Sequence, residues 1–297
     1  NVFFPDERAC LDYLVRLRWP DGFRCPACGG RRAWRMSKGR NLRCAGCRAD
    51  VSVTAGTLFA DTRLPLASWF QAAWYVSSQK PGVSALGLKR ILGLGSYETA
   101  WALLHRLRRA MVRPGRERLA GELEVDESYL GGPRPGRRGR GALGKQIVAI
   151  ACEALPRGTI GRIRISRIPD CSEQTLTGFV ASVAEPGSVI YTDHWSGYTG
   201  LAAVGFRHWP TNVAASGDPA HVAMPRVHRV ASLLKRWLLG THHGGVKPGQ
   251  LDRYLQEFVF RFNRRSSRHR GLVFYRLLEQ AIQLEAVPFD RLIARHL

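Results

Sequence analysis

The chain has 297 residues, 45% of them hydrophobic, enough for two or three folding units with cores of their own. Its 45 Lys and Arg against 23 Asp and Glu leave a formal charge of +22 and a pI of about 10.8, which disfavours self-association and points to a polyanionic partner, nucleic acid first. A basic membrane-surface protein is the rival, but no segment reaches the apolar length of a helical bilayer span, and no signal-peptide pattern is visible. Four of the seven cysteines sit in two CxxC pairs, a distribution that predicts a metal site in a reducing cytoplasm rather than a disulfide framework.

Residues 1–20 read as an amphipathic helix, with Ala9, Leu11, Leu14 and Leu17 near helical spacing, ended by the turn at Trp19–Gly22. CPAC (Cys25, Cys28) and CAGC (Cys44, Cys47) follow, separated by fifteen residues. A CxxC turn lets two thiolates reach one ion, and two such turns facing each other complete a tetrahedral four-cysteine zinc site. The segment Arg31–Leu42 between them alternates as a β-hairpin does, which predicts a zinc ribbon; four unrelated thiols are the alternative. Four thiolates leave no open position for water, so Zn²⁺ there is structural and supplies most of the folding free energy of so small a unit. Arg24, Arg31, Arg32, Arg35, Lys38, Arg40, Arg43 and Arg48 surround it, either as DNA contacts or as a solvated basic surface.

From Leu66 to Met111 the pattern is helical: one helix over 66–78, stopped at Lys80-Pro81-Gly82, then a short helix, a Gly93–Gly95 turn, a Ser96 cap and a longer basic helix. A helix-turn-helix and a plain helical hairpin both fit. Pro114-Gly115 marks a boundary, after which strands are predicted at 122–130, 146–155 and 161–168, a helix at 172–184 started by Ser172, and a strand at 189–193. Strands followed by a helix and a further strand give an α+β sheet of the RNase-H-like type. The Gly/Pro-rich basic loop 133–145 is suited to lie along phosphates.

Two strands end in an acid: ELEVDES carries Asp126, and VIYTD carries Asp193. Alternation puts Glu122, Glu124 and Asp126 on one face of the first strand and Leu123, Val125 and Glu127 on the other. Carboxylates on rigid strands can grip divalent cations; a turn or cap residue is the plainer reading of each Asp alone. Near the C-terminus, His228 and Lys235 are seven residues apart, nearly two helical turns, and share a helix face. A neutral imidazole can ligate a metal and a Lys can hold a phosphate, although their spacing fits surface residues as well. Ser196, Tyr129 and Tyr198 lack any nucleophile motif. GQLDRYLQEFVFRFNRR places Leu251, Tyr254, Leu255, Phe258 and Phe262 at core spacing, followed by a basic end, and residues 272–297 read as a closing helix and tail.

The motifs CPAC…CAGC, TAGTLF (54–59), VDESYLGG, GRRGRG, YTDHWSGY, HRVASLLKRWLLGTHHG and YLQEFVFRFNRR run in order through nearly the whole chain. Together they resemble the bacterial insertion-sequence transposases of the DDE/RNase-H-like superfamily. The branch is the one with an N-terminal zinc ribbon and a third catalytic position that varies among Glu, Asn and His and is followed by a Lys. The resemblance implies a catalytic set of Asp126, Asp193 and His228 with Lys235 as the accompanying basic residue, and two Mg²⁺ or Mn²⁺ ions held by the first three. It implies metal-dependent cleavage and transfer of DNA strands, with the element's terminal repeats and target DNA as double-stranded partners, a homo-oligomer on DNA, and a place in the cytoplasm at the nucleoid. The expected organisation is a helix plus zinc ribbon over 1–55, a helical DNA-binding segment over 56–115 and an RNase-H-like catalytic domain over 116–297. His228 departs from the commoner Glu: one negative charge fewer shifts preference toward softer divalent ions. Glu257 and Asp218 are the fallback acids, read as a helix residue and a loop residue. A transposase-derived DNA-binding protein without catalysis and a metal-dependent nuclease of the same fold are the alternatives.

Overall fold

The computed structural model describes residues 4–36, 39–113, 115–131, 144–211, 220–244 and 246–293. Lys38, Asp218 and the GRRGRG loop lie outside them. In chain order the elements are α1 (Glu7–Arg18), β1 (Ala33–Arg35), β2 (Asn41–Cys44), β3 (Asp50–Ser52), α2 (Leu66–Ser78), α3 (Ala85–Leu92), α4 (Tyr97–Arg109), β4 (Glu122–Leu130), β5 (Gln146–Ala154), β6 (Ile160–Ile168), α5 (Glu173–Val183), β7 (Val189–Asp193), β8 (Arg207–Thr211), α6 (Pro225–His242), α7 (Leu251–Phe262), α8 (Arg270–Ala281) and α9 (Phe289–Ile293). A single helical turn, Ala220–Ala223, precedes α6. Among the described residues no helix is long and apolar enough to cross a membrane.

Two compact units emerge: residues 1–113 together with 267–296, and residues 114–266. Residues 267–296, expected within a catalytic domain over 116–297, cluster with the first unit, where α8 packs with α1, α2 and α4. The reason is aromatic. Phe274 of α8 meets Phe70 and Trp74 of α2 edge-on, at ring centroids 5.8 and 5.9 Å, and Phe4 and Tyr13 complete the cluster. The TAGTLF run ties into the same core: Leu58 and Phe59 are buried, and the Leu58 N–H donates to the Ala281 carbonyl at 3.0 Å.

In the first unit, α1 starts where Asp6 accepts the Ala9 N–H at 2.8 Å, and buries Cys10, Leu11 and Leu14. The ribbon is a three-stranded antiparallel sheet, β1-β2-β3, one strand more than the predicted hairpin. The helices α3 and α4 form a helix-turn-helix-like pair through Gly93, which sits at φ +62° where a side chain would be strained, and Ser96 caps α4 by accepting the Thr99 N–H at 3.0 Å. The basic end of α4 turns inward. Arg108 is fully buried, while Arg106 and Arg109 donate to the Val287 and Glu285 carbonyls at 3.2 and 2.9 Å.

The second unit is a five-stranded sheet of order β6-β5-β4-β7-β8, antiparallel from β6 to β4 and parallel from β4 through β8, an RNase-H-like arrangement. One face carries Leu130, Val148, Ile150, Cys152 and Ile163 against α6 and α7; the other carries Leu123, Val125, Ala149, Ala151 and Ile190 against α5. Successive side chains of β4 and β5 thus go to alternate cores, which explains their nearly continuous burial. The last strand, β8, was not anticipated. On the outer side of β6, Asn263 accepts the Ile163 N–H at 2.8 Å and donates to its carbonyl at 3.1 Å, covering an otherwise open edge.

Candidate metal centres and nucleic-acid site

The four ribbon cysteines are brought together. Their sulfurs lie within 4.8 Å of one another, with Cys25–Cys47 at 3.7 Å and Cys28–Cys44 at 3.6 Å. Ligands about 2.3 Å from a tetrahedral zinc ion stand about 3.8 Å apart, so the cluster fits Zn²⁺ without rearrangement. Both knuckles close alike. The Gly29 N–H donates to the Cys25 carbonyl and the Arg48 N–H to the Cys44 carbonyl, at 2.9 and 3.1 Å, and both fifth residues are left-handed, at φ +72° and +63°. Three of the arginines expected to face DNA are engaged within the unit: Arg35 with Asp12, Arg40 with Glu7, and Arg43 with its cross-strand neighbour Asp50. Arg48 lies over the Trp34 ring at 5.1 Å, while Arg24 and Arg31 line a cleft with Trp19 and Phe23.

In the second unit the parallel register pairs Glu122 with Val189 and Glu124 with Tyr191. Two residues further along, the same register sets Asp126 beside Asp193 on the face toward α6. A third carboxylate joins them: oxygens of Asp126, Glu127 and Asp193 all lie within 4.8 Å. Strand alternation assigns Glu127 to the opposite face. Asp193 ends β7, however, so no strand separates the two faces beyond it, and a two-methylene side chain can reach the cluster. Desolvation first, then the neighbouring Glu127 and Asp193 charges, push the Asp126 carboxyl up to about 7, against the pull of the Glu127 N–H that Asp126 accepts at 2.8 Å. Crowded, desolvated carboxylates of this kind fit a divalent cation, which relieves the repulsion. The Trp195 N–H donates to Asp193 at 3.2 Å and its indole N–H to the Cys171 carbonyl at 3.0 Å, holding the turn behind the acid. Gly197 is obligatory there, since an added Cβ would stand 2.6 Å from that carbonyl.

His228 and Lys235 arrive on α6 as expected, sharing a face with Ala231 and Ser232. That face lines a cavity of about 300 Å³ with Asp126, Glu127 and Lys145, while Val227, Val230, Leu234 and Leu238 bury the other side of the helix. His228 Nε2 is 3.7 Å from Asp126 Oδ2. It approaches Asp126 but does not belong to the three-carboxylate group. Lys145, the last residue of the basic loop expected to lie along phosphates, stands just ahead of β5 and lines the same cavity. Glu257 is buried in α7, among the core residues of that helix.

What holds α6 over the acids is Glu124. Its buried carboxylate accepts the Arg226 and Val227 N–H groups at 2.8 and 2.9 Å and the Arg226 guanidinium at 2.8 Å, and Arg226 also reaches the Leu155 carbonyl. A carboxylate at a helix N-terminus satisfies orphan N–H donors and complements the dipole. Because Glu124 is two residues from Asp126 on the same face, it indexes His228 to Asp126. Glu124→Ala is expected to cost the second unit about 2–3 kcal/mol, the scale for breaking a buried charged hydrogen-bond set. Denaturant unfolding checks this; a loss below about 0.5 kcal/mol would show that α6 docks by its apolar face alone.

Residues 5–50 match the transposase zinc-ribbon domain family, and residues 118–263 match the ISXO2-like transposase domain family. The chain is also 26% identical over 278 residues to an uncharacterized protein in transposable element ISH50 of Halobacterium salinarum, an alignment that covers 87% of this chain and 91% of the other.

Proposed function

We propose, from the membership of this chain in the insertion-sequence transposases that join a zinc ribbon to a DDE domain, that it binds the ends of a mobile element and cuts and transfers DNA strands. The observation that carries this reading is the cluster of three carboxylates, Asp126 and Glu127 within β4 and Asp193 at the end of β7, on two strands that pair in parallel. The relative in transposable element ISH50 supports the same reading.

Asp126, Asp193 and Glu127 would hold one divalent cation, and Asp126 with His228 a second. Bound Mg²⁺ or Mn²⁺ would polarise the scissile phosphodiester and activate a water or a 3′-hydroxyl for in-line attack. The chain's own contribution is positional: Glu124 sets the His228 helix over the strand, Lys145 and Lys235 offer point charges to flanking phosphates, and Trp195 fixes the Asp193 turn. The +22 charge draws the DNA in and makes binding steeply salt-dependent. Joining two element ends requires two active sites, so the working form is at least a dimer on DNA.

A purified sample given Mn²⁺ and a labelled duplex of the terminal-repeat sequence of its element is expected to release a 3′-hydroxyl and join it to target DNA. Cleavage without joining would make it a nuclease. The imidazole at position 228, where a carboxylate would bind metal more strongly, favours a second reading as a catalytically silent DNA-binding protein; binding with no cleavage establishes that one. Asp193→Asn is expected to abolish cleavage and leave DNA affinity within about twofold, because one interior carboxylate adds little to a phosphate-driven association. Unchanged cleavage removes Asp193 from the site.

A further inference from the structure

The sheet face that carries Asp126 and Asp193 continues past them onto β7 and β8, where, among the described residues, Tyr191 is half-buried and Trp209 exposed. The register pairs Ile190 with His208 and Tyr191 with Trp209. Ile190 belongs to the core under α5, and His208 bonds Thr192 and approaches the buried Tyr198 ring, so that pair faces α5. Tyr191 and Trp209 therefore share the opposite face, the one that bears Asp193. The helices on that face, α6 and α7, pack on β4, β5 and β6. Trp209 is 62% exposed, and Arg207 beside it on the same face is exposed as well.

Adjacent strands stand about 4.8 Å apart and two residues advance a strand by about 6.6 Å. Tyr191 thus lies one step from Asp193 along β7, and Trp209 one strand further out, a separation of about one nucleotide. Trp209 is the most exposed tryptophan among the described residues, and its ring offers an open π-face. Extension of the sheet by another strand is disfavoured, since Pro210 removes a ladder donor from β8. Aromatic rings flanked by an arginine in a chain of charge +22 match the chemistry of unpaired nucleotides, whose bases stack on any π-face while their phosphates seek cations.

We propose that Tyr191 and Trp209 form a base-stacking platform that takes an unpaired nucleotide of the DNA strand held at the Asp126–Asp193 carboxylates. Which strand is processed rests on the transposase reading; the stacking itself does not.

The test uses the full chain without divalent metal and two probes: a blunt duplex, and the same duplex with a single-stranded thymidine overhang carrying 2-aminopurine. The wild type is expected to bind the overhang probe about tenfold more tightly than the blunt one and to quench the 2-aminopurine. Trp209→Ala loses that preference, about tenfold, the low end of the cost of one stacked base, and leaves blunt-duplex affinity unchanged. Trp209→Phe retains most of it, and Tyr191→Ala loses part. Equal affinity of the wild type for both probes, or an undiminished preference in Trp209→Ala, overturns the proposal. Stacking without Mn²⁺-dependent cleavage upholds the platform and refutes only the catalytic reading.

Discussion

In protein kept free of divalent metal, Asp126→Asn is expected to unfold at a higher temperature than the wild type, while its cleavage in Mn²⁺ falls to background. The Asp126 side chain is only 17% exposed and has the Glu127 and Asp193 carboxylates within 4.8 Å. Above about pH 7, where the raised Asp126 carboxyl ionises, the three without a cation are crowded like charges, a strained arrangement that persists because the site requires it. Asparagine keeps the shape and the acceptor for the Glu127 N–H but removes one charge. The gain is about 1–2 kcal/mol, and in a unit of this size each kcal/mol raises the midpoint by about 2–4 °C. Mn²⁺ is expected to lift the wild-type midpoint in proportion to its occupancy and to leave the variant almost unmoved. Thermal unfolding with and without the ion reads both effects. A variant that melts below the wild type in metal-free buffer would mean that Lys145 and Lys235, on the same cavity, already neutralise the acids.

The parts of this site that sequence alone exposes are those with a local signature. The strand through Asp126 announces itself by alternation and the one ending at Asp193 by a β-branched run, the CxxC pairs by spacing, and the His228–Lys235 face by helical period. The remainder depends on chain meeting chain. Glu124 reads from its strand only as another outward acid; its role appears when Arg226, 102 residues later, brings a helix N-terminus to it. Glu127 is misassigned by alternation, since that rule cannot register where the neighbouring strand stops. The strand RHWPT has no alternation and contains a proline, so β8 is invisible until β7 offers it an edge. Likewise the helix of Phe274 is amphipathic on any reading, but nothing local tells it to join the aromatic cluster of Phe70 and Trp74 rather than the sheet. The ribbon arginines fit a DNA surface or a solvated one equally well in the sequence because the partners of three of them, Asp12, Glu7 and Asp50, are set by the fold.

Removing the metal from the ribbon, by chelation or by Cys44→Ser, is expected to unfold β1–β3 outright. The apolar core of that sheet is Cys25, Cys44 and Val51, with Trp19 and Phe23 packed against it. So little buried surface stabilises a fold by a few kcal/mol at most, whereas zinc bound by four thiolates contributes on the order of 10 kcal/mol. Cys44 is fully buried, and a serine hydroxyl there would be a poor ligand and a desolvated polar group at once. The damage should extend to α1, because Arg18 donates from that helix to the Ser52, Val53 and Ala55 carbonyls, and Arg35 and Arg40 reach back to its Asp12 and Glu7. Amide exchange is the measurement that separates these consequences. In EDTA, or in the Cys44→Ser protein, the β1–β3 amides should exchange at the rate of an unfolded chain and those of α1 should quicken. The amides of β4 and β5, whose sheet draws nothing from the ribbon cysteines, should stay protected. If β1–β3 remained protected in the chelated protein, the ribbon would be held by those arginine tethers to α1 instead, and the zinc would be an accessory to a fold that the helix maintains.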